Sequence, residues 1–236
     1  CNYFKKKKEI GTIKHIPQYG MVTNGTFYNE KLSKLIIDNN IMITFSIDGP
    51  KKINDQQRVF INGKGSYDIV VENINKFRKD GLVKFAVEAT YTNLHLESNI
   101  SIEETVKYIQ KEIGTNNVLV VNCRGNKKYA LDEDIGNEIE IDDIKRTLEN
   151  MSKNIGYTTI NMSLQKYLNK LLSKNVYPRK CSAGFESLSI FPDGKLYPCH
   201  AYVQEETNFQ IGSLVDKQYD FEKIANLLSN NMIATK

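Results

Sequence analysis

IMITFSIDGP, residues 41–50, is a continuous apolar run rich in β-branched residues that ends at an Asp-Gly-Pro turn. An uninterrupted apolar run of this kind is typical of a parallel strand that is covered on both faces. Pro50 cannot donate a ladder hydrogen bond, so the strand is expected to end before it. The same alternation of short apolar runs with amphipathic stretches recurs along the chain, and it predicts repeated β-α units.

Three more strands are predicted around this run, at residues 19–22, 83–91 and 117–122. Helices are predicted at residues 1–9, 29–38, 66–80, from 101 onwards, near 141–154 and at 164–174, with an acidic loop at 132–140. Such units cross over right-handed, which leaves a barrel or an open doubly wound sheet. Polar residues at the strand ends, and the lack of G-x-G-x-x-G after the first strand, favour the barrel. We therefore expect an α/β fold with an incomplete barrel, because four strands cannot close one.

Charge and composition argue against nucleic-acid and membrane partners. The net charge is +4, from 32 basic and 28 acidic residues, and the excess is scattered apart from the run at Lys5 to Lys8. Four lysines are typical of a solvated face, so no nucleic-acid partner is expected. No apolar run approaches the ~20 residues of a membrane span, and no signal segment opens the chain. The sequence predicts a soluble, cytoplasmic protein with no membrane partner.

The pattern changes near residue 180. Two short β runs at 188–191 and 196–197 flank a Pro-Asp-Gly turn, which predicts a β-hairpin followed by helices. Cys181 precedes this hairpin and Cys199 follows it, so both sulfurs can approach one site. Two cysteines cannot complete a metal site of about four ligands, and two buried thiols are the alternative. His200 is a candidate third ligand, but a position at the rim of the site is favoured for it. The two other cysteines, at 1 and 123, are interpreted as non-ligands.

Polar side chains also follow the first two strands. Asn24 lies in a TNGT stretch that is either an ordinary turn or a ligand-facing loop. Ser46 and Asp48 point to the same side of their strand, and a polar group there needs a bound ligand or a neighbouring helix as partner. Arg58 could pair with Asp48, reach a ligand carboxylate, or lie on the surface. The residues alone leave these alternatives open.

Together these stretches resemble radical S-adenosylmethionine (SAM) enzymes that carry a SPASM domain, a group that includes sulfatase-maturing enzymes and peptide maturases. VTNGT at 22–26 is similar to the family's third barrel strand. SIDGP at 46–50, with Arg58 and NGKGSYD at 62–68, resembles the fourth strand and its loop. CSAGFESLSIFPDGKLYPCHAY at 181–202 and FQIGSL at 209–214 resemble the start of SPASM. The resemblance covers nearly the whole chain.

The resemblance implies an enzyme in which a [4Fe–4S] cluster cleaves SAM reductively, so that the resulting 5′-deoxyadenosyl radical takes a hydrogen from a peptide or protein substrate. It further implies SAM binding at Asn24, Ser46, Asp48 and Arg58, and ligands of an auxiliary [4Fe–4S] cluster at Cys181 and Cys199. It assigns no catalytic residue. The fold it implies is an incomplete (β/α)6 partial TIM barrel made of the later strands, followed by a SPASM-type β-hairpin and helices. Residues 1–160 then correspond to the C-terminal portion of the barrel, and residues 161–236 to a linker helix and the first half of the SPASM domain.

The sequence departs from the family pattern in two respects. The C-x3-C-x2-C cluster loop, the GGEP-type motif and the later Cys-rich run are absent, so we expect a chain that is incomplete at both ends and inactive alone. His200 stands where sulfatase maturases carry an Asp base, which favours maturation of cysteine-rich peptides, for instance by thioether links. The alternatives are a non-catalytic remnant that binds a peptide or partner, and an unrelated α/β barrel enzyme with two incidental thiols.

Overall fold

The structure, a computed structural model, describes residues 1–125, 128–152, 183, 187–200, 209–220, 222–223 and 225–226. The chain divides into two compact units, Cys1–Leu168 and Asn169–Lys236. The predicted domain boundary after residue 160 and the predicted helix at 164–174 lie outside the described residues. That boundary therefore stays a prediction.

The first unit is built on a four-stranded parallel sheet in which the strands follow one another in chain order. Its strands are β1 (Gly20–Thr23), β2 (Met42–Ser46), β3 (Ala86–Tyr91) and β4 (Val118–Asn122). The register sets Thr23 beside Phe45, and Phe45 beside Val87. The predicted α/β class with a parallel sheet is confirmed.

Helices precede, connect and follow these strands. In the described part of the chain they are α1 (Asn2–Glu9), α2 (Glu30–Asp38), α3 (Lys51–Gln57), α4 (Tyr67–Lys79), α5 (Asn93–Glu97), α6 (Ile102–Ile113) and α7 (Glu133–Ser152). Their ends carry recognisable signals: Ser101 and Glu104 form a capping box at the start of α6, and Gly114 ends it in the left-handed conformation. None of these described helices has the length and apolar character needed to cross a membrane.

One face of the sheet is packed against helices. Alternate strand residues, including Phe45 and Val87, join apolar residues of α2, α4 and α6 in one hydrophobic core. Phe45 is fully buried and lies edge-to-face against Phe85, with ring centroids 5.6 Å apart. Full burial of one such side chain contributes about 1.5–3 kcal/mol to stability. The alternate residues of each strand point to the opposite face of the sheet.

Three helical segments differ from the sequence-based expectation. The acidic loop predicted at 132–140 is wrong, because α7 begins at Glu133. The side chain of Asp132 accepts from the N–H of Asp134 at 3.0 Å, and acidic residues in the first turn suit the positive end of the helix dipole. Two short helices, α3 and α5, were not predicted at all; Pro50 at the N-cap of α3 was an available start signal.

The second unit contains a small antiparallel sheet. Its strands are β5 (Ser189–Ile190), β6 (Lys195–Tyr197), β7 (Gly212–Ser213) and β8 (Gln218–Tyr219). Between β5 and β6 the chain turns tightly, with the N–H of Phe191 donating to the carbonyl of Lys195 at 2.9 Å and Gly194 at a φ of 85°. Leu196 and Ile211 are buried in this unit.

Candidate functional site

The face of the parallel sheet opposite the helix-packed core, here called the open face, carries a group of polar side chains. Thr44 and Ser46 of β2 and Glu88 and Thr90 of β3 are all half-buried there. The register places Ser46 directly beside Glu88. Ser46 and Thr90 lie at or near the C-terminal ends of parallel strands, which is the edge where α/β proteins bind ligands.

Asp48, two residues beyond β2, is the centre of a buried hydrogen-bond network. It is 1% exposed, and its Oδ1 accepts from the backbone N–H of Thr90 at 2.8 Å. Its own N–H donates to Oδ1 of Asn54 at 3.2 Å, and its carbonyl oxygen lies 2.7 Å from Nε2 of His95. A buried carboxylate without partners would be destabilising. These contacts therefore fix the loop that follows β2.

Arg58 completes this network. Its Nε donates to Oδ2 of Asp48 at 2.7 Å and its Nη2 to Oδ1 at 2.8 Å, a bidentate arrangement. Helix α3 separates the two residues along the chain and brings Arg58, its C-cap residue, back beside Asp48. Among the three roles considered for Arg58, the structure shows the pairing with Asp48. Whether Asp48 and Arg58 also bind SAM stays a prediction.

His95, which the sequence analysis missed, supports the same loop from α5. The N–H of Thr92 donates to Nδ1 of His95 at 3.1 Å, so Nδ1 is unprotonated and Nε2 carries the proton that it donates to the carbonyl of Asp48. Burial lowers the pKa of His95, although its hydrogen bond to the Asp48 backbone opposes this. The ring also stacks on Tyr91, with centroids 4.6 Å apart. The signal was a capping box, Thr-x-x-His, in which His replaces the usual Glu.

The turn after β1 contains Asn24, the first predicted SAM ligand. Asn24 is exposed, and its Oδ1 accepts from the N–H of Thr26 at 3.1 Å and from its hydroxyl at 2.9 Å. The next residue, Gly25, is buried with a φ of 72°, and its carbonyl accepts from Nδ2 of the buried Asn73 at 2.9 Å. The turn is thus held by local contacts, and the SAM contact of Asn24 stays a prediction.

Gly25→Ala is expected to destabilise the protein more than Gly63→Ala. Both glycines have a left-handed φ, 72° and 79°, which strains any other residue by about 1–2 kcal/mol. A Cβ on Gly25 would lie 2.8 Å from Cγ1 of Val70 and 3.0 Å from Cδ1 of Phe45, whereas Gly63 has nothing within 4 Å. Overpacking should add about 1–2 kcal/mol to the loss for Gly25 alone. Denaturant unfolding of both variants measures the difference, and equal losses would contradict the packing argument.

Of the two predicted cluster cysteines, Cys199 lies among the described residues. Cys199 follows β6, is half-buried, and has its Sγ 3.6 Å from Nδ1 of the exposed His200. Cys181 lies outside the described residues. Within the residues that the structure describes, no group of three or more His, Cys, Asp or Glu could hold a metal ion. The assignment of Cys181 and Cys199 to an iron–sulfur cluster therefore stays a prediction.

Two bacterial enzymes are similar to this chain in sequence, while no protein-family profile matches it. A cysteine-type anaerobic sulfatase-maturating enzyme of Clostridium novyi is 28% identical over 227 residues, which are 90% of this chain and 56% of that enzyme. The enzyme of the same name from Clostridium perfringens is 23% identical over 233 residues, 91% of this chain and 59% of the enzyme. The chain thus spans just over half the length of these relatives.

Solved structures of one protein are similar to this chain in fold. The anSMEcpe protein with bound AdoMet matches with a TM-score of 0.70 at 20% identity, over 98% of this chain and 61% of that chain. The same protein with AdoMet and the Kp18Cys peptide gives a TM-score of 0.67 at 19% identity, over 94% of this chain and 62% of that chain. The chain is thus similar in sequence to cysteine-type anaerobic sulfatase-maturating enzymes and similar in fold to anSMEcpe.

Proposed function

We propose that the chain is the later part of a radical SAM enzyme with a SPASM domain, which cleaves SAM reductively and modifies a peptide or protein substrate. The observation that carries this proposal is the edge of the open face beyond β2, where Ser46 ends the strand and the Asp48–Arg58 pair follows. The parallel sheet would be the later strands of an incomplete (β/α)6 barrel. Residues 1–160 would be its C-terminal portion, and residues 161–236 the linker helix and first half of the SPASM domain.

The groups at this edge suit the polar parts of SAM. Arg58 uses two of its five N–H donors for Asp48, and its side chain is 28% exposed, so donors remain for a ligand carboxylate. The hydroxyl of Ser46 and the amide of Asn24 would contact other polar groups of the same molecule. Asp48 has both carboxylate oxygens engaged, and it would act by holding Arg58 in place. The described residues therefore fit the cofactor.

The iron–sulfur requirement is met only in part by this sequence. A reduced [4Fe–4S] cluster, when bound, supplies the electron for reductive cleavage of SAM. The chain has no C-x3-C-x2-C loop, so the ligands of that cluster would come from residues other than 1–236. Cys181 and Cys199 would ligate an auxiliary cluster of the SPASM domain.

The proposed substrate is a cysteine-rich peptide that receives, for instance, a thioether link. The similarity in fold to anSMEcpe with a bound peptide supports a peptide substrate. His200 follows Cys199 where sulfatase maturases carry an Asp base, and an imidazole there favours a reaction other than sulfatase oxidation. The exposed ring of His200 lies beside Cys199 and is open to a substrate.

Full-length protein purified without oxygen is expected to contain iron and sulfide and to convert SAM into 5′-deoxyadenosine when dithionite is added. Residues 1–236 alone should not cleave SAM, because they lack the cluster loop. Iron and sulfide analysis together with chromatography of the products measures both results. An iron-free full-length protein that leaves SAM intact would contradict the proposal.

Two further variants separate the alternatives. Cys181→Ala/Cys199→Ala should lower the iron content of the full-length protein, while Cys123→Ala, a matched thiol change, should leave it unchanged. Equal iron in all three proteins would contradict the assignment of Cys181 and Cys199 as ligands. Peptide binding without any 5′-deoxyadenosine would favour the non-catalytic remnant instead.

A further inference from the structure

Glu88 is a polar residue of the open face that none of the networks described above uses. It is the one charged residue in strands β1 to β4, and it lies half-buried in the middle of β3. The other open-face residues of these strands are uncharged, and they include Ser46, Thr44 and Thr90. Among the described residues, no hydrogen bond or ion pair involves the carboxylate of Glu88.

A single carboxylate in this position calls for a positively charged ligand. Partial burial removes water from the charge, and a sheet face without basic side chains provides no compensation. The cationic side chain of the site, that of Arg58, is already bonded to both oxygens of Asp48. The charge of Glu88 is thus the one unbalanced charge on the described open face.

The register decides which ligand can reach Glu88. Its Cα is paired with that of Ser46 on the neighbouring strand, and adjacent strands lie about 4.8 Å apart. Both side chains stand on the same face, so a molecule that contacts the hydroxyl of Ser46 also lies within reach of the carboxylate. SAM carries a sulfonium and an ammonium group, and either would complement this charge.

We propose that Glu88 binds the positively charged part of SAM, beside the hydroxyl of Ser46, while Arg58 faces the cofactor carboxylate. This inference rests on the proposed function, because it takes SAM as the ligand of the open face. It adds a charge-specific contact that distinguishes SAM from its uncharged nucleoside products. Discrimination of this kind would favour release of the nucleoside after cleavage.

Binding of three nucleosides to the full-length protein tests the assignment. SAM carries both cations, S-adenosylhomocysteine only the ammonium, and 5′-methylthioadenosine neither. Glu88→Gln is isosteric and should weaken SAM binding by about 10- to 100-fold, since the attraction between the carboxylate and the cation is lost. Binding of 5′-methylthioadenosine should be unchanged. Glu30→Gln, at the exposed start of α2, serves as the matched control.

The pattern across the ligands gives each outcome a meaning. Weakened binding of SAM alone assigns the contact to the sulfonium, and weakened binding of both SAM and S-adenosylhomocysteine assigns it to the ammonium. Equal weakening of all three ligands, or no weakening, overturns the role of Glu88 while SAM binding by the wild type still supports the proposed function. No SAM binding by the wild type overturns both. If Glu88→Gln does not fold, Glu88→Asp keeps the charge on a shorter arm and should weaken SAM more than 5′-methylthioadenosine.

Discussion

Asp48→Ala is expected to lower the free energy of unfolding by about 3–5 kcal/mol, because it breaks a buried ion pair and leaves one partner without compensation. Arg58 would lose both of its bonds to the carboxylate, and the N–H of Thr90 would lose its acceptor. Asp48→Asn should lose less, since its side-chain oxygen can still accept from Thr90. It cannot neutralise Arg58, so part of the loss remains.

Urea unfolding of the wild type and the two variants measures these losses. Asp38→Ala is the matched control, because Asp38 is exposed at the end of α2 and should change stability by less than about 0.5 kcal/mol. Asp48→Asn should also weaken SAM binding by the full-length protein, since Arg58 would no longer be held. If Asp48→Ala unfolds like the Asp38 control, the network does not stabilise the site as described.

The strands could be predicted from the sequence because buried parallel strands consist of contiguous apolar residues. The run at 41–47 contains β2, and the run at 117–122 contains β4, each displaced by no more than a residue at its ends. Helix α3 escaped prediction because its sequence, KKINDQQ, offers one apolar residue and no amphipathic period. Helix α7 was placed too late because Gly136 and the acidic residues around it were interpreted as a loop.

Only one of these partners of Asp48 could be predicted from the sequence. Arg58 was considered because it has the opposite charge and lies ten residues away. Thr90 and His95 lie 42 and 47 residues away, and only the pairing of β2 with β3 brings them to Asp48. The spacing of these residues along the chain therefore does not predict that contact. Glu88 was not singled out either, because the strand predicted at 83–91 contains two charged residues, Lys84 and Glu88, and only the observed start of β3 at Ala86 leaves Glu88 alone.

The network explains why the segment SIDGP requires these residue types in this order. Ile47 is buried in the core, Asp48 makes the hydrogen bonds of the network, and Gly49 adopts a φ of 116°. A Cβ on Gly49 would lie 3.1 Å from Cγ2 of Thr105, so a larger residue would strain and crowd the turn. Pro50 then begins α3, which returns the chain to Asp48 through Arg58. Ser46 thereby ends β2 beside a loop that is held by several hydrogen bonds.

His95→Leu is expected to lower the free energy of unfolding by about 2–6 kcal/mol at pH 7.5, because it leaves two buried backbone groups without partners at about 1–3 kcal/mol each. These groups are the carbonyl of Asp48 and the N–H of Thr92. His15→Leu is the matched control, since His15 is exposed. Chemical unfolding measures both variants, and equal stabilities would contradict the role assigned to His95.

His95 should also make the stability of the protein depend on pH, and the direction of its pKa shift decides whether stability rises or falls with pH. Burial holds the pKa of His95 in the folded protein below the value of about 6.5 expected in the unfolded chain. On acidification the unfolded state therefore takes up the proton first. The stability from neutral His95 is fully present above about pH 6.5, and it falls below that pH by at most about 1.4 kcal/mol per unit.

Because protonation of Nδ1 of His95 would break the bond from Thr92, the loss should begin at the loop that carries Asp48. His95→Leu should show a shallower decline between pH 6.5 and 5.5 than the wild type and His15→Leu, whereas parallel declines would assign the acid sensitivity to other groups.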